Sequence, residues 1–173
     1  MFDNLRQDIT RNLRDYGPQS ALRRAALCFT LNSIHAVALI RLQLWCARHH
    51  LPGILASKIL FWFFKIEISS KATIGPGLRL PHPMGIIIAP HSFIGTNCDL
   101  YADVRLVLSH GRKHGPHLED GVFMGDGAKA VGAVRIGSKA VIGVSAVVTR
   151  DIPPNAVAAG VPARVLHPQT QLT

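Results

Sequence analysis

The chain has 173 residues, 48% of them hydrophobic, and a formal net charge of +9 at pH 7. That length holds one domain with a real core, or one domain with an appendage. Three widely spaced cysteines, Cys28, Cys46 and Cys98, exclude a disulfide framework and a zinc knuckle, and read as reduced thiols of a cytosolic protein. The charge is uneven: residues 1–65 carry nine Lys/Arg against three Asp, and residues 66–173 carry ten against seven acidic residues. A basic chain attracts nucleic acid, anionic lipid or a polyphosphate cofactor. No nucleic-acid-binding motif is present, so no nucleic-acid partner is expected.

The opening MFDNLRQDITRNLRD mixes charges and has no apolar run. It is therefore not read as a signal peptide, and a cytoplasmic location is expected. Residues 3–15 suit an amphipathic helix with Leu5, Ile9 and Leu13 on one side, ended by Gly17-Pro18. Ser20 caps a second, longer helix reaching about His50, and Pro52-Gly53 breaks the chain again. A third apolar segment, ILASKILFWFFK, leads to Ile66. The sixteen uncharged residues between Arg24 and Arg41 include Thr30, Asn32, Ser33 and His35. A spanning helix needs about 20 apolar residues, so this run reads as a buried helix. Trp62 and its neighbouring Phe residues, beside Lys58 and Lys65, also suit peripheral contact of residues 1–65 with an acidic membrane surface. Packing on the other helices or on a neighbouring subunit is the plainer reading.

From Ile68 the chain changes period. Ile68, Ile74 and Leu80 are followed, after two extra residues, by Ile88, Ile94, Leu100 and Leu106, and the phase resumes at Leu118, Met124, Ala130, Ile136, Ile142 and Val148. Four residues after each comes a mostly small or apolar row, from Ala72, Leu78 and Met84 to Ala146 and Ile152. Gly follows the first row repeatedly (Gly75, Gly95, Gly125, Gly137, Gly143), placed to help the chain turn corners. A period of six fits neither a helix nor a lone alternating strand. It fits a parallel β-helix, in which three hexads close one triangular coil. The predicted organisation is a helical region over 1–65, a β-helix over 66–166 and a short tail over 167–173. Two interruptions are expected: a bulge around Ile86-Ile87 next to His82, and an extruded loop over Ser109–His117. In that loop Arg112 would otherwise point into an apolar coil.

Of the nine histidines, His82 stands apart, at a corner within PHPMG. Counting fifteen residues back, almost one turn, places Glu67 beneath it, where a carboxylate can fix the imidazole's tautomer. A solvated corner histidine is the alternative on spacing alone. His110, His114 and His117 crowd the loop with Arg112 and Lys113, which suits an anionic or hydroxyl-bearing substrate. No nearby Asp or Cys fixes a metal geometry, so no metal is expected. Lys129, Lys139, Arg150 and Arg164 lie along the last coils, where they can screen the phosphates of a nucleotide-bearing cofactor or simply decorate the outside.

IEISSKATIGPGLRLPHPMGIII and GVFMGDGAKAVGAVRIGSKAVIGVSAVVTRDIPPNAVAAGVPARVL resemble the serine O-acetyltransferase branch of the hexapeptide acyltransferases, in particular its short members associated with surface polysaccharide gene clusters. The resemblance implies a left-handed parallel β-helix, a homotrimer, and acetyl-CoA lying in the groove between subunits. It implies that His82 is the catalytic base, that Glu67 orients it, and that the acetyl group passes directly to an acceptor hydroxyl. Gly127, Ala128, Lys129, Ser145 and Arg164 match the stretches lining the family's cofactor groove, to which the charge pattern adds Arg150. The departures concern the acceptor, the backbone donor to the oxyanion and the cofactor groove. Pro81 stands for the family's Asp before the catalytic His, and His114-Gly115-Pro116 stands for its Arg-His-Pro. Val107-Leu108 replaces a Gly-Gly pair, and Asp126 and Val144 enter the small-residue turns Gly125-Asp126-Gly127 and Gly143-Val144-Ser145. Leu172-Thr173 lacks the terminal Ile that docks cysteine synthase, so that complex is not expected. The acceptor is expected to be L-serine or a sugar or other alcohol. The rival expectation is a non-catalytic trimer acting as a scaffold or docking protein.

Overall fold

The computed structural model describes residues 2–17, 20–111 and 113–168. Four helices, α1 (Phe2–Asn12), α2 (Ala21–Thr30), α3 (Asn32–Arg48) and α4 (Ile54–Ile59), the last continuing as a π-helical turn over Leu60–Phe64, precede a stack of short strands. The strands form three faces of a prism. The first face stacks 67–68, 87–88, 105–107, 129–131 and 147–148; the second stacks 73–74, 93–94, 117–118 and 135–136. The third stacks 99–100, 123–124, 141–142 and 156–159, with 164–168 added antiparallel at its end. This is the expected left-handed parallel β-helix, of about five turns. All thirteen residues of the first inward row are buried. They stack on their copies in the next coil, and this continuous apolar column drives closure of the prism.

The register reads the irregularities directly. A regular turn takes 18 residues, as in Ile87 opposite Arg105 and Lys129 opposite Val147. Pairs spanning 81–85 are 20 apart, as in Glu67 opposite Ile87. The excess residues therefore lie in Pro81–Gly85 rather than around Ile86-Ile87. Ile86 takes the inward place at 1% exposure, while Met84, counted in the second row, is 62% exposed. Pairs spanning the 109–117 loop are 24 apart, so that loop is one whole extra hexad, and the phase survives it. The last turn is two residues short: Ile152 stacks on Ile136, although the period had placed it in the second row. The terminal strand reaches Pro168, past the expected start of the tail at 167.

Corners are turned by a different residue from the one expected. The third position after an inward residue takes a left-handed conformation, at Gly77, His91, Asn97, Asp103, Gly121, Gly127, Lys139, Ser145 and Asn155. The glycines directly after the inward row instead permit close stacking: a Cβ on Gly75 would stand 2.7 Å from the carbonyl of Gly95.

The helices share the coil's core, since Ala36, Val37, Ile40 and Leu60 join its inward rows in one buried cluster. Ser20 does cap α2, accepting from the Arg23 N–H, but the expected single helix to about His50 is two helices bent by 73°. Leu31 is extended at the break (φ −84°, ψ 118°), and the Thr30 hydroxyl bonds back to the Ala26 carbonyl, a contact that competes with the helical ladder. The expectation of burial holds for α3. Helix α2 buries none of its residues.

Candidate active site

The chain leaves the third face after Arg79 and joins the first at Ile87, and the excursion Pro81–Gly85 occupies that corner. Two prolines stiffen it, the Met84 N–H closes a turn on the His82 carbonyl at 2.8 Å, and the Gly85 N–H is tied to the Phe64 carbonyl at 3.1 Å. Gly85 has φ +68°, and the Asp103 carboxylate fills the space a Cβ would need. His82 is thus presented outward on a rigid corner. It is exposed, its ring edge-on to Tyr101 at 6.0 Å between centroids. No described residue of the chain hydrogen-bonds its imidazole.

His82 borders a cavity of about 500 Å³ between this excursion, the α2–α3 bend and the π-helical turn. Tyr16, Leu31, Phe63, Phe64 and Met84 supply much of its lining, with Thr30, Asn32 and Ser33 as polar members. Among the described residues no Asp, Glu, Lys or Arg lines it.

The count of fifteen placed Glu67 beneath His82; the strand register pairs Glu67 with Ile87, two residues later than a regular turn would, and the Gly85 end of the excursion sits over Phe64. The Glu67 side chain is exposed on the first face, and no hydrogen bond joins it to His82.

Above His82 the same edge is built from corners of successive coils: Tyr101–Asp103, Asp126–Gly127, Val144–Ser145 and the Gly160–Ala163 turn. The expected cofactor residues Gly127, Ala128, Lys129 and Ser145 fall on it, and Arg164 follows its last turn. The Lys129 ammonium donates to the Gly127 carbonyl at 2.9 Å. Ala128 is fully buried, so it offers the edge backbone only. Asp126 accepts the Ala102 N–H at 3.1 Å, which makes its carboxylate a tie between coils.

The other candidates lie on a second edge, where the first face turns into the second. His91, His110, Lys113, His114 and Arg150 are there, all exposed. The rings of His91 and His114 are 6.2 Å apart, and His117 stacks on Phe93 at 4.3 Å. Arg112 lies outside the described residues. One chain therefore does not bring His114 and His117 to His82, and Arg150 is separated from the other cofactor candidates. Gly115 is buried against Ser92, whose hydroxyl a Cβ would strike.

Among the described residues no three His, Cys, Asp or Glu side chains converge as a metal site. Cys98 is no nucleophile: burial pushes its thiol up to about 11, and its Sγ donates to the Glu119 carbonyl. Sequence reasoning missed Tyr101 and the cavity wall. Tyr101 was findable, since one turn of 20 residues separates it from Pro81; the wall comes from helices that no period relates to the coil.

Fold and edge together define a class, the hexapeptide-repeat parallel β-helix carrying an outward imidazole below a ladder of small corner residues. No family model matches the chain. A serine acetyltransferase of Synechococcus elongatus is 32% identical over 146 residues, 82% of this chain and 59% of that protein. A serine acetyltransferase of Mycobacterium tuberculosis is 32% identical over 170 residues, 96% of this chain and 73% of that one. A solved serine acetyltransferase in complex with CoA superposes with a TM-score of 0.80 at 29% identity, over 95% of this chain and 68% of that one. The chain belongs to the serine acetyltransferase family. It spans less than two thirds of the Synechococcus relative.

Proposed function

We propose that the protein is an acetyl-CoA-dependent O-acetyltransferase in which His82 is the general base. One observation carries the reading: His82 and the small-residue ladder of Gly127 and Ser145 share a single edge of the prism. An acetyl donor laid along that ladder can contact backbone N–H and C=O groups, with Lys129 and Arg164 near enough to its path to screen phosphates. The acceptor hydroxyl gives its proton to the His82 imidazole as its oxygen attacks the thioester carbonyl; the C–S bond then breaks as the imidazolium returns that proton to the sulfur, and CoA leaves as the thiol. No covalent enzyme intermediate is required. Glu67 is assigned the part of orienting the imidazole in the assembled site.

The assembly proposed is a homotrimer. Its support is the separation of the candidates onto two edges: packing the loop edge of one protomer against the His82 edge of the next would bring His114, His117 and Arg150 to the acceptor and donor. L-serine is the acceptor that family membership favours. A sugar or other neutral hydroxyl is the second reading, favoured by Pro81 and by a cavity that, among the described residues, is lined without acidic or basic groups other than His82.

Thiol release from acetyl-CoA, followed with L-serine and separately with sugars and sugar nucleotides, tests both readings. His82→Ala is expected to lower kcat by about 10²–10⁴ while calorimetry shows acetyl-CoA binding retained. An unchanged rate removes His82 as base. Failure of the unaltered protein to bind acetyl-CoA at all leaves the scaffold reading.

A further inference from the structure

We infer that the helical segment docks the protein on an anionic lipid surface, with the His82 cavity opening beside the contact. The apolar side chains that α2 and α4 leave outside are too many and too large for scattered surface residues. Leu22 and Phe29 of α2 are both 83% exposed, and with Ala26 they form one stripe at helical spacing. Ile54 and Leu55 are 67% and 70% exposed, and Trp62 and Phe63 of the π-helical turn 65% and 77%. The two stretches meet at the His82 cavity, to which Thr30 at the end of α2 and Phe63 both contribute.

Charge selects the occupant. From Tyr16 to Ile66 the chain carries six Lys/Arg and no Asp or Glu. Arg41 is used up inside the protein, whereas Arg23, Arg24, Arg48, Lys58 and Lys65 are exposed. A second copy offering the same face would set positive charge against positive charge. Anionic headgroups with acyl chains beneath them match both components, and Trp and Phe flanked by Lys suit the boundary between headgroup and chain. No single described helix is long and apolar enough to cross a membrane, and in the bent pair of α2 and α3 that passes by composition, α3 buries Ile34, Val37 and Ile40 within the protein, so the mode is lying on the surface. The docking stands apart from the acetyl-transfer reading and can fail without it.

The test is flotation of the full chain with vesicles of phosphatidylcholine alone and of phosphatidylcholine mixed with phosphatidylglycerol. The protein is expected to float with the mixed vesicles, less so in high salt, and not with phosphatidylcholine alone. The double variant Leu22→Ser/Phe29→Ser, and separately Trp62→Ser, are expected to lower partitioning roughly tenfold or more. Their thermal unfolding and sedimentation mass should match the parent's. No flotation with mixed vesicles overturns the inference, as does equal flotation with phosphatidylcholine alone. A fall in oligomer mass in either variant overturns it in favour of a second copy on this face.

Discussion

Asp8 is fully buried, and what surrounds it shows how single residues lock the helices to the coil. Arg41, 5% exposed, grips it with two hydrogen bonds of 2.7 and 3.0 Å and donates onward to the Ile74 and Gly75 carbonyls. Asp8 also accepts the Leu78 N–H, while Asn12 donates to the Leu78 carbonyl and accepts from the Leu80 N–H. Side chains here complete backbone pairing that the first coil has no neighbouring strand to supply. Asp8→Ala would strand the guanidinium and is expected to cost about 3–5 kcal/mol in urea unfolding. Replacing both partners by Leu and Met should cost less than Asp8→Ala alone. Glu119 behaves differently. The Ser138 hydroxyl and then Arg135 hold its carboxyl down to about 2, from an ordinary 4.5. A depressed carboxyl stabilises the fold above its unfolded value and loses that contribution as pH falls from there through the folded one. The urea midpoint of the parent should therefore drop between about pH 4.5 and 2, and that drop should be shallower in Glu119→Gln. The role of Asp8 was not legible in the sequence, because Asp8 and Asn12 share the α1 face with Leu5 and Ile9 and only burial shows them to be inside.

At the scale of elements, the coil is a counting device. The loop that lengthens one turn from 18 to 24 residues adds one hexad, and Pro116 already sits in the buried place two residues before Leu118. Deleting the six residues His110–Gly115 should therefore leave cooperative thermal unfolding close to the parent's. Deleting five should collapse it, because a shift of one residue turns the inward row outward. The two-residue excess within Pro81–Gly85 cannot be treated the same way, since Gly85 is bonded to Phe64 and the excursion carries His82 outward. The six-residue period made the inward rows and both interruptions legible. It misplaced the first interruption because Met84 and Ile86 are both apolar, and pattern alone does not say which one faces in.

At the scale of the molecule, three edges divide the work. One takes the helices, through Arg11 and Asn12 against Gly77, Cys98 and Leu78. One carries His82 and the small-residue ladder, and one carries the histidine loop and Arg150. By itself the sequence determined the prism, its inward rows and the candidate imidazole, because a repeat with one buried place per hexad writes its geometry into its period. Only the tertiary structure decided which edge each candidate occupies, that Glu67 lies under Ile87, and that α2 and the aromatic turn stand exposed around a cavity. Those depend on how helices without a repeat settle on the coil, and a local pattern does not encode contacts between segments of different period.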